Sequence, residues 1–289
     1  MKIDFRCKYS ILDCDVICEH KFARVEESSI ETLHNHDGYE IVLFLGGDVT
    51  LFVESDEKKM ERGDLIFIRS YAFHGLKLKD IASYERVVIN IRESFLHKLS
   101  DENTDLSMCF HRMPSKRLNV IHLNEIEIRR FVSLANDLEQ TIRNQHYGYT
   151  ILSKAILSEL MVLANQYAET YHRPLYSNIM PSIITKTYEY IDKNLTTNIT
   201  VESLANKLHY NSDYLNRAFK NATGSSLKYY ITAKKITLAQ QFLRQGFSPY
   251  DVCFMVGYTN YSSFSRRFSE QVGMPPKQFQ ISSQVGQLN

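Results

Sequence analysis

The 289-residue sequence has few cysteines and pairs none of them in a motif. Cys7, Cys14, Cys18, Cys109 and Cys253 form an odd, scattered set without a CxxC spacing, which argues against a disulfide framework or a zinc knuckle and reads as reduced thiols. Long apolar runs are missing too. The longest uninterrupted aliphatic and aromatic stretch, Ile41 to Leu45, falls far short of the roughly 20 residues a membrane helix needs, and the opening MKIDFRCKYS lacks an apolar signal core. The expected location is the cytoplasm, with no membrane partner. Nor is there a large charge of either sign, the formal net charge being +1. Its distribution is uneven, however: from Ser177 onward 12 Lys and Arg stand against 6 Asp and Glu, whereas residues 1–176 carry 22 against 27. A basic C-terminal part on an acidic body suits a polyanionic partner.

What is present begins with β-strands. Glu40 to Leu45 (EIVLFL), Val49 to Glu54, Leu65 to Arg69 and Arg86 to Ile91 are rich in β-branched and aromatic residues, with polar turns such as Ser55 to Lys59 between them. Residues 1 to about 118 therefore read as a β sandwich or small barrel. Near Leu123 the period changes. Phe131, Leu134, Leu138 and Ile142, then Leu152, Ile156, Leu160, Leu163 and Tyr167, recur at helical spacing around a break at Gly148, which predicts a helical hairpin over about 123–169. Such a pair either covers one face of the β domain or, having apolar residues to spare, dimerises the protein. The expected domains are 1–170, a linker at 171–180, read from the two prolines and weak periodicity of Tyr171 to Pro181, and a helical domain at 181–289.

The helical part nearly repeats itself. Ala205, Leu215, Phe219 and Gly224 are spaced 10, 4 and 5; Cys253, Phe264, Phe268 and Gly273 are spaced 11, 4 and 5. Each copy makes sense as a helix-turn-helix. A short first helix (Val201 to His209; Pro249 to Val256) puts a small residue beneath the second helix, and a tight turn follows at Tyr210-Asn211 or Gly257-Tyr258. Ser212 is the expected cap of one second helix, Ser248 with Pro249 starts the other copy, and Gly224 and Gly273 supply left-handed stops. With Leu215 and Phe219 turned inward, Asp213, Asn216, Arg217 and Lys220 face outward; Phe264 and Phe268 expose Ser262, Ser263, Arg266 and Arg267 in the same way. Asn and Arg suit base edges, and Ser, Lys and the remaining Arg suit phosphates, so double-stranded DNA is the expected partner; solvated helix faces are the plain alternative. Between the copies, Ser226 to Gln245 reads as one helix of about 30 Å, close to the roughly 34 Å between successive major-groove faces.

These features together resemble the DNA-binding domain of the AraC/XylS family of transcription regulators. The likeness covers residues 181–280 and rests on LANKLHYNSDYLNRAFKNATGSSLKYYI and DVCFMVGYTNYSSFSRRFSEQVGMPPKQF. It implies that Asn216, Arg217 and Arg266 face bases with Asp213 and Ser262 beside them. Pro249 and Cys253 stand where the family usually has isoleucine and alanine, and Gln280 where an arginine commonly ends the motif.

In the β region His34, His36 and Glu40 form an HxHxxxE pattern with Gly47 beyond it, and Gly63-Asp64 precede a strand that ends at His74. This resembles the two cupin motifs, whose four side chains in cupin enzymes hold a divalent metal. Ser28, Arg69 and Tyr71 depart from the motif glycines and proline. Three readings stand: a small-molecule pocket lined by His34, His36, Glu40, Arg69 and His74, a metal site at the same histidines, or structural histidines. Arg69, if inward, favours an anionic or polyhydroxylated ligand. The fold expected is α+β, an N-terminal cupin-like β-barrel with a helical hairpin followed by an all-α domain with two helix-turn-helix units joined by a long helix. The function expected is a non-enzymatic regulator without a cofactor or metal. It is an activator that answers to a small molecule such as a sugar, a homodimer through the hairpin, and a partner of RNA polymerase. The alternative is a metal-dependent cupin enzyme with an accessory nucleic-acid module.

Overall fold

The computed structural model describes residues 15–24, 29–30, 33–78, 83–111, 118–171 and 179–285; Cys7, Cys14, Ser28 and most of the expected linker, 172–178, lie outside them. The chain divides into two compact units, with the boundary between Ile179 and Met180.

The first unit contains β1 (Val16–Arg24), β2 (Ser29–Ile30), β3 (Tyr39–Gly46), β4 (Val49–Val53), β5 (Asp56–Lys59), β6 (Asp64–Ile68), β7 (His74–Leu78), β8 (Ser83–Ile91), α1 (Glu93–Leu99), α2 (Met108–His111), β9 (Asn119–His122), α3 (Glu125–Asn144) and α4 (Tyr149–Thr170). Its strands build two antiparallel sheets of order β1-β8-β3-β6-β9 and β2-β7-β4-β5. The inner faces share one core, Val42, Phe44, Ile66 and Ile68 meeting Leu51, Val53 and Leu76. Alternate residues of β3, Ile41, Leu43 and Leu45, point the other way and pack under α3 and α4 against Phe131, Leu138, Leu157 and Leu160. Covered on both faces, β3 reads as a continuous apolar run rather than an alternation.

The hairpin forms where the period predicts it. Asn124 and Glu127 close a reciprocal capping box at the start of α3, and Gly148, at φ 79°, admits the chain to α4. Three expectations need correction. Asp56–Lys59, read as part of a turn, is an edge strand paired only with β4; its buried charges are met by Lys58 on Asp64 and by Lys77 on Glu57 at 3.0 Å, so composition concealed it. The strand after Gly63 ends at Ile68, and His74 instead opens β7. The stretch read as β up to residue 118 also holds the short helices α1 and α2.

The second unit is all helical: α5 (Ser182–Asn194), α6 (Val201–Lys207), α7 (Ser212–Thr223), α8 (Leu227–Arg244), α9 (Pro249–Met255), α10 (Tyr261–Val272) and α11 (Pro276–Val285). The long helix α8 carries a cluster at each end. Tyr230 packs edge-on against Tyr188 at 5.0 Å, beside Phe219. Ile236, Ala239 and Leu243 pack with Val252, Cys253, Phe264, Phe268 and Phe279. No helix among the described residues is long and apolar enough to cross a membrane.

Candidate effector pocket and nucleic-acid interface

The histidines of the first unit converge. His34 and His74 form an isolated antiparallel bridge, each backbone N–H donating to the other's carbonyl at 3.0 and 2.9 Å, which sets their rings 4.3 Å apart. His36 is held by the Tyr71 N–H on its carbonyl, and its ring lies 5.1 Å from that of His74. Gly38, at φ 125°, then turns the chain into β3; a Cβ there would sit 2.6 Å from the Ile91 carbonyl oxygen, so only glycine fits. Two residues on, Glu40 enters the barrel buried, its Oε2 accepting from His36 Nε2 at 2.6 Å and lying 3.4 Å from His74 Nε2. Burial alone would raise the Glu40 pKa. The charge of His74 and the hydrogen bonds from His36 and His74 outweigh it and hold the carboxyl well below the usual range.

Nitrogen atoms of His34, His36 and His74 lie within 4.8 Å of one another, a donor set of the kind that takes a first-row divalent ion. His74 Nδ1 faces the Ala72 carbonyl at 2.9 Å and must donate to it, so Nε2 faces Glu40 as a second donor when the ring is protonated and as a lone pair when it is neutral. His36 Nδ1 is buried without a hydrogen-bond partner among the described residues. Both observations fit a cation held by this set, with the backbone carbonyl orienting a ligating ring.

Beside the histidines is a small cavity, part of it open to solvent, lined by His34, Glu40 and His74, by Val42, Leu51, Ile68 and Leu76, and by Arg86. Of the residues expected there, His34, Glu40 and His74 line it and His36 stands behind Glu40. Arg69 does not line it: it follows the end of β6, half-buried, in the turn that brings the Ala72 N–H to its carbonyl. The arginine of the pocket is Arg86, opposite Phe44 in the β3–β8 register, and sequence reasoning missed it. The signal was in RVVINI, whose alternation sets Arg86, Val88 and Asn90 on one face and the wholly apolar Val87, Ile89 and Ile91 on the other.

In the second unit both helix-turn-helix copies form. In the first, Leu208 caps α6, His209 turns with φ 61°, and the Tyr210 N–H returns to the Ala205 carbonyl; in the second, Val256 caps α9, and Gly257 at φ 75° and the Tyr258 N–H to the Cys253 carbonyl repeat this. The caps are Asn211 and Asn260, each accepting from the first turn of its second helix, so Asn211 replaces the expected Ser212. Ser248 and Pro249 open α9, and Gly224 and Gly273 close α7 and α10 in left-handed geometry, as expected.

Asp213, Arg217 and Lys220 are exposed on α7, as are Ser262, Ser263 and Arg266 on α10. Arg267 is half-buried and paired with Glu270 at 2.8 Å. Asn216, expected to face outward, is also half-buried: its Oδ1 accepts the Leu227 N–H at 3.0 Å, an otherwise orphan donor at the start of α8. Tyr214 and Asn221, not singled out from the sequence, are exposed on the same helix. At the centre, buried Lys235 of α8 donates to the carbonyls of Thr197 at 2.6 Å and Gly257 at 3.0 Å, and burial pushes its pKa down to about 8.

Comparison with known proteins follows these two units. Residues 18–161 match the model of the AraC-like ligand binding domain and residues 204–281 that of a helix-turn-helix domain. The chain is 22% identical over 258 residues to the melibiose operon regulatory protein of Escherichia coli, covering 88% of this chain and 84% of that protein. It is 30% identical over 98 residues to the regulatory protein SoxS of Salmonella typhimurium, 34% of this chain and 92% of SoxS. A crystal structure of apo ToxT from Vibrio cholerae matches with a TM-score of 0.41 at 14% identity, covering 92% of this chain and 97% of that one. This chain belongs to the AraC family of DNA-binding transcription regulators, with the family's ligand-binding domain at residues 18–161 and its helix-turn-helix domain at residues 204–281.

Proposed function

We propose that the protein is a cytoplasmic, non-catalytic activator whose affinity for paired DNA sites is set by a small molecule in the β unit. The observation that carries this reading is the pairing of two matched helix-turn-helix units, each exposing an arginine on its second helix, with a partly enclosed cavity in the other unit. Arg217 and Arg266 read base edges with Asp213 and Ser262 beside them, while Lys220, Ser263 and Arg267 engage phosphates. Asn216 positions α8 rather than reading a base. A relative named for a sugar operon supports a carbohydrate as the effector. Exposed Ile151, Leu152 and Val162 on α4 support a homodimer through the hairpin, and contact with RNA polymerase is the output. The effector acts by binding one arrangement of the protein more tightly than another.

The test is a gel shift on promoter fragments with and without a sugar panel. A sugar that changes the affinity of the wild type but not of Glu40→Ala, at unaltered basal affinity, supports the reading; equal titrations of the two proteins would remove the pocket.

A second reading, favoured by the convergence of three imidazoles within 4.8 Å of one another, gives His34, His36 and His74 a divalent ion. The ion would supply Lewis acidity or rigidity at the cavity wall. One bound ion per chain by atomic emission after dialysis, lost in His36→Ala, supports it; a metal-free protein with unchanged melting would overturn it.

A further inference from the structure

Among the described residues, nothing on the inner face of the barrel supplies a counter-charge to the one arginine that projects into its cavity. Arg86 projects from β8 into the cavity, its Nε shielded from solvent and without a hydrogen-bond partner among the described residues. Its guanidinium carbon stands 5.2 Å from the Tyr84 ring centroid, and no carboxylate among the described residues pairs with it. Glu40, which lines the same cavity, is engaged by His36 at 2.6 Å and His74 at 3.4 Å. Four residues along β8, past Val88 on the same face, Asn90 Oδ1 is also buried without a partner among the described residues, opposite Glu40 in the register. A guanidinium carries five donors in a planar fork suited to a carboxylate, and leaving it unpaired in an apolar barrel costs stability that a bound anion restores.

We infer that the effector is a small organic acid whose carboxylate pairs with Arg86. This rests on the effector reading of the cavity and narrows it: among carbohydrates, sugar acids rather than neutral sugars. With one arginine and Glu40 in the same space, a monoanion is favoured over a doubly charged phosphate ester. The enclosed part of the cavity is small and the rest opens to solvent, which limits the body that can be buried with the acid.

The experiment is thermal unfolding of the full chain, wild type and Arg86→Met, with acetate, benzoate and glucuronate, and with their neutral counterparts acetamide, benzamide and methyl glucoside. Without additive, Arg86→Met melts at or above the wild type, because it removes an unpaired cation. At least one carboxylate raises the wild-type melting temperature in a concentration-dependent way, with affinity falling about tenfold or more in Arg86→Met and partly restored in Arg86→Lys. Arg86→Met melting below the wild type, or no carboxylate stabilising the wild type, overturns the inference. Methyl glucoside stabilising wild type and Arg86→Met alike overturns the acid group while leaving a ligand-responsive barrel. Glucose 6-phosphate binding in place of the carboxylates overturns the monoanion. The promoter gel shift, run separately, reports on the regulator reading whatever the melting shows.

Discussion

Asn216 and Leu227 are joined by a hydrogen bond of 3.0 Å from the Leu227 N–H to the Asn216 Oδ1, which ties the middle of α7 to the first turn of α8. Leu227 is wholly buried, so its N–H has no water to turn to. Asn216→Ala is expected to destabilise the helical unit by about 1–2 kcal/mol, measured by urea denaturation. An unchanged melt with weakened DNA binding would return Asn216 to the base-reading face.

Arg217 and Arg266 are expected to behave in the opposite way. Each is exposed, so replacement by Ala leaves thermal stability intact and weakens specific DNA binding by about 1–3 kcal/mol in gel shifts at fixed salt. Arg267→Ala has the smaller effect, since Glu270 holds Arg267 at 2.8 Å but Arg266 only at 3.9 Å and so competes more for the charge of Arg267. Equal affinities for all three variants would contradict this ordering.

His209 and Gly257 occupy the same left-handed turn position in the two units, at φ 61° and 75°. His209→Gly is expected to raise stability by up to about 1 kcal/mol, because a side chain in that conformation is strained. Gly257→Ala does the reverse and more, its Cβ meeting the carbonyl oxygens of Thr197 at 2.5 Å and Thr196 at 2.6 Å. Melting temperatures that move in the same direction for the two variants would refute the assignment.

Lys235 gives a pH dependence. Its folded pKa of about 8 lies below the value near 10.4 of an unfolded lysine, so between these limits the unfolded chain holds the extra proton and its contribution to stability rises with pH. Below pH 8 the buried ammonium is penalised in full. Urea denaturation at pH 7 and pH 9.5 is expected to move the difference between wild type and Lys235→Met toward the wild type at the higher pH. A difference independent of pH would show that Lys235 does not titrate in this window.

Leu152 lies half exposed on α4, next to the more exposed Ile151. Leu152→Glu is expected to shift sedimentation from dimer to monomer without lowering the melting temperature, because no core contact is lost. A monomeric wild type would sink the proposal.

How far the sequence discloses the structure depends on whether the physics is local. Glycine stops and inward positions 3–4 residues apart decide α7 and α10 from within their own windows, so both units and Ile236, Ala239 and Leu243 of α8 were legible, although the capping asparagines were not. The HxHxxxE spacing likewise placed His34, His36 and Glu40 together, and turn geometry rather than strand continuation delivered His74 to them. What escaped was settled between segments. Asp56–Lys59 is a strand only because β4 and its ion partners receive it, Asn216 turns inward only because Leu227 needs an acceptor, and Arg86 displaces Arg69 from the pocket because β8 lies beside β3.

The fastening of Lys235 to Thr197 and Gly257 has a consequence for what the protein can recognise. The loop after α5 and the turn of the second unit are pinned to one side chain in the middle of a single shared strut. On the proposed DNA reading, the turn ahead of α10 is thereby held against α8 and cannot adjust by itself, so a site whose second groove is displaced by an extra base pair is matched poorly.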